Sequence, residues 1–321
     1  ESWLKKLDEN KKISLYIHIP FCGSLCYFCA CHTSVVNKYK PIEIYVSLLL
    51  KEIDILGKKL KSKFNVSHIH FGGGTPSILK GTELWLIMQS IKKRFNILKD
   101  CKIAMEIDPR FFKQNLTIIL NDCGFDRISI GVQDFSQDVQ ALINRKQSFE
   151  ITKETINHLR ENNISNINID LIYGLPKQKV QTFTDTLEKI STLRPDRISA
   201  FGYAHVPWMK KHQRLIKIKP LNNEDRLKFY RLVSHCFLSN GYEPFGIDHY
   251  AEKSSSIIRN VKNRKLQRNF QGYTEDDAEA LIGIGASSIS SLPNGYVQNI
   301  TQTADYIRAL KKNKLPISRG Y

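Results

Sequence analysis

Short β-branched runs alternate along the chain with stretches whose apolar residues recur at helical spacing. The runs predict strands at 13–19, 66–71, 102–107, 127–132, 167–172 and 197–203. Between the first two, Ile42, Tyr45, Val46, Leu49, Leu50, Ile53 and Leu56 lie on one helical face, and Gly57 stands where that helix is expected to stop. Thr82 is placed to cap a second helix with the face Leu84, Ile87, Met88, Ile91 and Phe95. Leu116, Ile119, Leu120 and Cys123 mark a third, and the segments 137–145, 150–161 and 181–193 continue the alternation. Strands joined by helix-length crossovers imply a parallel sheet with right-handed connections.

The residues with chemistry cluster just after these strands. A cysteine-rich segment follows the first and Gly72-Gly-Gly-Thr-Pro76 the second; Glu106 and Asp108 end the third. Gln133 ends the fourth, Asp170 and Gly174 close the fifth, and Tyr203-Ala-His205 follows the sixth. In a parallel barrel all these ends share one rim, where such folds place their chemistry. The expected class is therefore α/β, a partial (β/α)6 TIM-like barrel over residues 1–205. From 206 to 321 the rhythm changes: a helix at 224–238, loop-rich stretches at 246–250 and 268–274, Gly283-Ile-Gly285, and a last helix at 303–312. This part is expected to pack as an extension on the barrel.

Composition narrows the picture. The chain is 41% hydrophobic and 25% charged, which excludes disordered and fibrous classes. No apolar stretch is long enough to span a bilayer and no signal peptide is visible, so a cytoplasmic protein is expected. A net charge of +17 draws anions, although Lys58-Lys59, Lys92-Lys93-Arg94 and Lys210-Lys211 also read as solvated runs without interleaved aromatics. Of seven cysteines, Cys101, Cys123 and Cys236 are scattered and read as buried small hydrophobes.

The other four are concentrated. Cys22-Gly-Ser-Leu-Cys26-Tyr-Phe-Cys29 is C-x3-C-x2-C, and Cys31 follows. Three thiolates on one loop can hold three corners of a cubane iron–sulfur cluster and leave the fourth iron open. The competing reading adds Cys31 to make a closed zinc site, which normally needs two knuckles separated by a longer loop.

A C-x3-C-x2-C after strand one with a glycine-rich loop after strand two resembles the radical S-adenosylmethionine enzymes. Tyr16-Ile-His-Ile-Pro20-Phe-Cys22, Phe28-Cys-Ala-Cys31, Gly72–Pro76, Glu106-Ile-Asp-Pro-Arg110 and Gly131-Val-Gln-Asp-Phe135 are similar to segments of the oxygen-independent coproporphyrinogen III oxidases. So are Asn168-Ile-Asp-Leu-Ile-Tyr-Gly-Leu-Pro176, Tyr203-Ala-His-Val-Pro207 and Arg268-Asn-Phe-Gln-Gly-Tyr-Thr274.

The resemblance implies oxidative decarboxylation of two propionates of coproporphyrinogen III to vinyls, giving protoporphyrinogen IX through a 5′-deoxyadenosyl radical. It implies a [4Fe–4S] cluster on Cys22, Cys26 and Cys29, with Cys31 not a ligand, and two S-adenosylmethionine molecules. Tyr16, Gly73, Gly74, Thr75, Glu106 and Ile289 are implied around the first, and Phe28, Gln133, Arg145, Asp170 and Ala204 around the second. Sequence alone gives plainer alternatives: Arg145 complementing a helix dipole, and Ile289 and Ala204 as core residues. His32 reads as an exposed loop residue, His68 and His70 as satisfied interior histidines, and Gly283-Ile-Gly285 as a packing or cofactor-flanking turn.

The implied partners are a low-potential donor such as flavodoxin or ferredoxin and the tetra-anionic substrate, which the positive charge suits; a monomer is expected, with no nucleic acid. Family members carry a longer N-terminal arm and a helical C-terminal domain, so a fragment or a shortened protein is expected here. Two other readings remain at this stage: a haem chaperone of the same superfamily, and a zinc-stapled nucleic-acid binder.

Overall fold

In a computed structural model, which describes residues 2–321, β1 (Lys12–Ile19) opens the main sheet. Next, β2 (Phe21–Cys22) and β3 (Ser34–Val35) pair across the cysteine loop. Then follow α1 (Lys40–Lys59), β4 (Asn65–Gly73), α2 (Gly81–Arg94), β5 (Asn96–Ile107), α3 (Leu116–Asp122) and β6 (Arg127–Gln133). After α4 (Gln137–Leu142) and α5 (Phe149–Glu161) come β7 (Asn166–Tyr173), α6 (Val180–Leu193) and β8 (Arg197–Gly202). The remainder holds α7 (Asn223–Ser239), β9 (Tyr242–Phe245), β10 (His249–Glu252), α8 (Ser256–Lys262), β11 (Gln267–Asn269) and β12 (Gly272–Thr274). It ends with β13 (Ala280–Ile284), β14 (Ile289–Leu292), β15 (Gly295–Asn299), α9 (Thr303–Lys311) and β16 (Ile317–Gly320).

The sheet runs β16-β15-β14-β13-β1-β4-β5-β6-β7-β8-β10-β9. The six strands expected from sequence are its parallel centre, and β13 adds a seventh parallel strand beside β1, with Ile13 opposite Ala280 and Ile17 opposite Ile284. The residues beyond 205 therefore widen both edges of the sheet. The stretch 246–250 is the turn between β9 and β10 with the start of β10, whereas 268–274, expected as a loop, carries most of the antiparallel pair β11–β12.

Side chains alternate along each parallel strand. Ile13, Leu15, Ile17 and Ile19 of β1 are buried with Ile42, Tyr45, Leu49 and Ile53 of α1 in the main core. The intervening positions point into the barrel. Ser14, His68, Ser129, Asn168 and Ser199 line a lumen cavity of about 310 Å³ together with Arg127 and Arg197. A typical (β/α) barrel fills this space with branched apolar residues; here it is polar and open.

Several local expectations change. The first helix does not stop at Gly57 but runs to Lys59. Gly57 instead allows α2 to approach: a Cβ there would lie 2.7 Å from Arg94 Cβ, and Arg94 pairs with Asp54 on α1. Helix α2 begins at Gly81, with Lys80 at the cap, so Thr82 lies inside it; Glu83 accepts the Lys80 N–H at 2.9 Å. Strand β5 starts at Asn96, six residues earlier than expected, because Asn96 and Ile97 already pair with Asn65 and Val66. Helix α4 ends at Leu142, which leaves Arg145 in the loop beyond it. Only Cys123 of the three scattered cysteines is buried; Cys101 and Cys236 are half-buried.

Candidate active site

The loop from Cys22 to Thr33 leaves the rim between β2 and β3. Cys22 Sγ lies 3.0 Å from Thr33 Oγ1 and accepts from Thr75 Oγ1 at 3.4 Å. Arg110 Nη2 and Arg145 Nη1 reach Cys26 Sγ at 3.4 and 3.5 Å, and the Cys31 N–H reaches Cys29 Sγ at 3.4 Å. Burial pushes the Cys22 thiol up. Hydrogen bonding from Cys31, helped by the charges of Lys210 and Arg145, pulls the Cys29 thiol down against its own burial.

The backbone of this loop is fastened from three directions. The Tyr27 N–H donates to the Ile143 carbonyl at 2.9 Å, and Asn144 Nδ2 donates to the Leu25 carbonyl at 2.8 Å. Gln213 Nε2 donates to the carbonyls of Phe28 (2.9 Å) and Ala204 (3.1 Å), His212 Nε2 to that of Cys29 (2.7 Å), and Lys210 Nζ to that of Cys31 (3.0 Å). His18 Nε2 holds the His32 carbonyl at 2.9 Å. A carbonyl only accepts, so both histidines carry the proton on Nε2.

Cys22, Cys26 and Cys29 line one cavity of about 170 Å³. Gly73, Gly74, Thr75 and Glu106 form one side of it, and Phe28, Gln133, Arg145 and Asp170 also face it. Gly73 has φ +115°, and a Cβ there would sit 2.6 Å from the His18 ring, so only glycine fits this cradle. A register shift between Gly131 and Gln133 puts Gln133 at φ +73°, a bulge that turns its side chain to the cavity.

Tyr16, Ala204 and Ile289 do not line this cavity. Tyr16 stacks on His70 at 5.8 Å, and His70 Nε2 lies 3.0 Å from Glu106 Oε1, so Tyr16 stands one layer behind the carboxylate. Ala204 is exposed, and Ile289 begins β14, half-buried.

Two carboxylates in the cavity are driven apart. Burial pushes Glu106 up, but the hydrogen bond and charge of His70 and the Gly73 N–H at 3.1 Å outweigh it, so Glu106 is held low and anionic. Asp170 accepts from Ser129 (2.9 Å) and Asn168 (2.8 Å), yet burial, with the charge of Glu106, leaves it raised. Arg145 spans Asp108 (3.0 Å) and the Gly131 carbonyl (2.6 Å), while its buried Nε has no partner among the described residues.

Comparison with known proteins decides the family. The radical SAM superfamily pattern matches residues 16–190. An oxygen-independent coproporphyrinogen III oxidase of Cereibacter sphaeroides is 42% identical over 319 residues, 99% of this chain and 71% of that protein. One from Helicobacter pylori is 40% identical over 316 residues, 98% and 69% of the two chains. The solved coproporphyrinogen III oxidase of Escherichia coli, described as a radical SAM enzyme, superposes with TM-score 0.94 and 35% identity, over 100% of this chain and 74% of its own.

The chain belongs to the oxygen-independent coproporphyrinogen III oxidases of the radical SAM superfamily. Membership implies a [4Fe–4S] cluster and S-adenosylmethionine, and it sets aside the zinc-stapled reading. The residues present fit both groups. Among the described residues, no three His, Cys, Asp or Glu side chains meet as a single-ion site. Three thiols facing one cavity suit a cluster held by one thiolate per corner. The glycine cradle, the anionic Glu106 and the unpartnered Arg145 Nε suit a ligand carrying an ammonium and polar groups.

As an oxidase site it also uses residues that sequence reasoning left without roles. Thr33 and Arg110 touch the sulfurs and Asp108 holds Arg110, while Lys210, His212 and Gln213 fasten their loop. His68 meets Asp276 at 2.9 Å and His70 meets Glu106, so both are paired as expected, but His70 belongs to the site. Gln213 gave no sequence signal: only the structure shows it as a fully buried amide inside a lysine-rich segment.

Proposed function

We propose that this chain oxidises coproporphyrinogen III without oxygen, turning two propionates into vinyls with loss of carbon dioxide and giving protoporphyrinogen IX. The supporting observation is a three-thiol loop and an anionic Glu106 around one cavity, in a chain that superposes throughout on the Escherichia coli oxidase. Cys22, Cys26 and Cys29 would hold the cluster. When bound, the cluster and S-adenosylmethionine supply one-electron cleavage of a sulfonium C–S bond and, through it, hydrogen-atom abstraction from the propionate.

The protein's part is positioning and exclusion of water. Glu106, fixed by His70 and Gly73, offers a charge to an ammonium. Gly73, Gly74 and Thr75 bring backbone close to the same molecule, with Tyr16 supporting through His70 and Ile289 assigned to its border. A second S-adenosylmethionine is assigned to Gln133, Arg145 and Asp170, with Phe28 and Ala204 beside it. Asp170, facing the cavity, offers acceptor oxygens to a donor such as a ribose hydroxyl. A cytoplasmic monomer reduced by a flavodoxin or ferredoxin completes this reading; no helix among the described residues is long and apolar enough to cross a membrane.

The test is anaerobic reconstitution with iron and sulfide, followed by dithionite, S-adenosylmethionine and coproporphyrinogen III. The expected products are 5′-deoxyadenosine and a divinyl porphyrinogen. Tight haem binding without decarboxylation would select the chaperone instead. Calorimetric titration of S-adenosylmethionine is expected to show two sites, one of them weakened in Asp170→Asn.

A further inference from the structure

Between β8 and α7 the chain runs over the outside of the cysteine loop as a strap, residues 203–222, with a short 3-10 turn at Lys211–Leu215. Its inner side is the clamp already described, in which Lys210, His212 and Gln213 donate to the carbonyls of Cys31, Cys29 and Phe28. Its outer side is unusual. Trp208 is 71% exposed and Met209 72%, with Leu215 and Ile218 also uncovered. Interspersed with them along the strap are Lys211, Arg214, Lys217 and Lys219, all exposed and none ion-paired among the described residues. None of these eight residues lines the cofactor cavity or the lumen.

Exposed Trp and Met interleaved with unpaired cations are the composition of a recognition surface, and the cations call for an acidic partner. Small, charge-steered contacts are typical of transient redox encounters. The face lies one residue away from the cysteine backbone: His212 and Lys210 touch Cys29 and Cys31 directly, while Lys211, between them, points to solvent.

We propose that the outer face of residues 208–219 is the docking surface for the one-electron donor, a protein with an acidic rim around its redox centre. On docking, the donor loses one electron and the cluster gains one, across the strap that clamps the cluster loop. This inference rests on the reading that Cys22, Cys26 and Cys29 hold the cluster. The positive charge then serves reduction, and steering by such cations raises association rates by about 10–10³-fold at low salt.

The probe is a reduced acidic flavodoxin, with dithionite in excess as the small-molecule control, on the full reconstituted chain. The variants are the charge reversal Lys211→Glu/Arg214→Glu/Lys217→Glu/Lys219→Glu and, separately, Trp208→Ala. Calorimetry at low and high salt reads flavodoxin binding, and stopped-flow bleaching of the cluster absorbance reads electron transfer. The charge reversal is expected to weaken binding and slow flavodoxin-driven bleaching about tenfold or more, and to flatten the salt dependence. Trp208→Ala is expected to weaken binding with the salt dependence intact.

Bleaching and turnover with dithionite are expected to be unchanged in both. Unchanged flavodoxin binding in both variants overturns the proposal. So does a raised KM for coproporphyrinogen III under dithionite, which assigns the patch to the substrate. If the wild-type chain bleaches but makes no divinyl product, the proposed substrate fails while the docking result stands.

Discussion

At the scale of single residues, the site depends on buried charge pairs. Asp108 lies between Arg110 (2.6 Å) and Arg145 (3.0 Å), and both arginines touch the Cys26 sulfur. Burial pushes the Asp108 carboxyl up, but hydrogen bonds from Arg110 and the charges of both arginines hold it low. Asp108→Asn leaves two buried guanidiniums under-compensated. It is expected to cost about 3–5 kcal/mol in urea denaturation and to lower iron retained after reconstitution. Because the folded value lies below the unfolded one of about 3.9, this stabilisation is present above that pH and lost as pH falls through the folded value. The variant's stability is expected to change less than the wild type's over that acid range.

Glu52 behaves in the opposite sense. Burial raises it to about 7, although Tyr306 (2.5 Å), the Gly285 N–H (2.9 Å) and Asn299 (2.7 Å) all donate to it. Its contribution is fully present below the unfolded pKa of about 4.3 and is lost as pH rises through the folded value. Urea melts are expected to show the wild type losing stability between pH 5 and pH 8 relative to Glu52→Gln; parallel profiles would refute this. The cysteine spacing was legible in the sequence because its three thiols are local. The bracing was not, since Arg110 and Arg145 meet Cys26 across 84 and 119 residues.

For elements, periodicity identified the six central strands and most helices, because one face of each meets the core. It misread Gly57. A glycine after an amphipathic run normally ends a helix, whereas here it admits the Arg94 side chain of α2 against α1. Alanine at this position improves helix propensity by about 1 kcal/mol. Overpacking against Arg94 Cβ, an atom fixed to backbone, costs about 1–3 kcal/mol. Gly57→Ala is therefore expected to lower the urea midpoint; a raised midpoint would show that Arg94 yields freely. The β11–β12 hairpin was missed for a different reason. Its strands are three residues each, too short for an alternation to register.

Across the whole molecule, the sequence pattern gave the barrel class but not its closure. Nothing in 280–284 reveals that it lies parallel to β1, because a buried five-residue run pairs equally well in either direction. Yet β13 covers the β1 edge, and β10 covers that of β8. A fragment of residues 1–205 exposes both edges and is expected to aggregate or unfold without a cooperative transition, as followed by circular dichroism. A sharp, reversible melt of that fragment would make the boundary at 205 a true domain border.

Among the described residues no ladder joins β9 to β16, so the wall is a split stave and not a sealed hoop. Residues of the β11–β12 hairpin, Gln271 and Tyr273, face the lumen alongside Phe245 from one flank and Leu281 from the other. A guest at this gap would meet the side chains of a short hairpin and not a strand ladder.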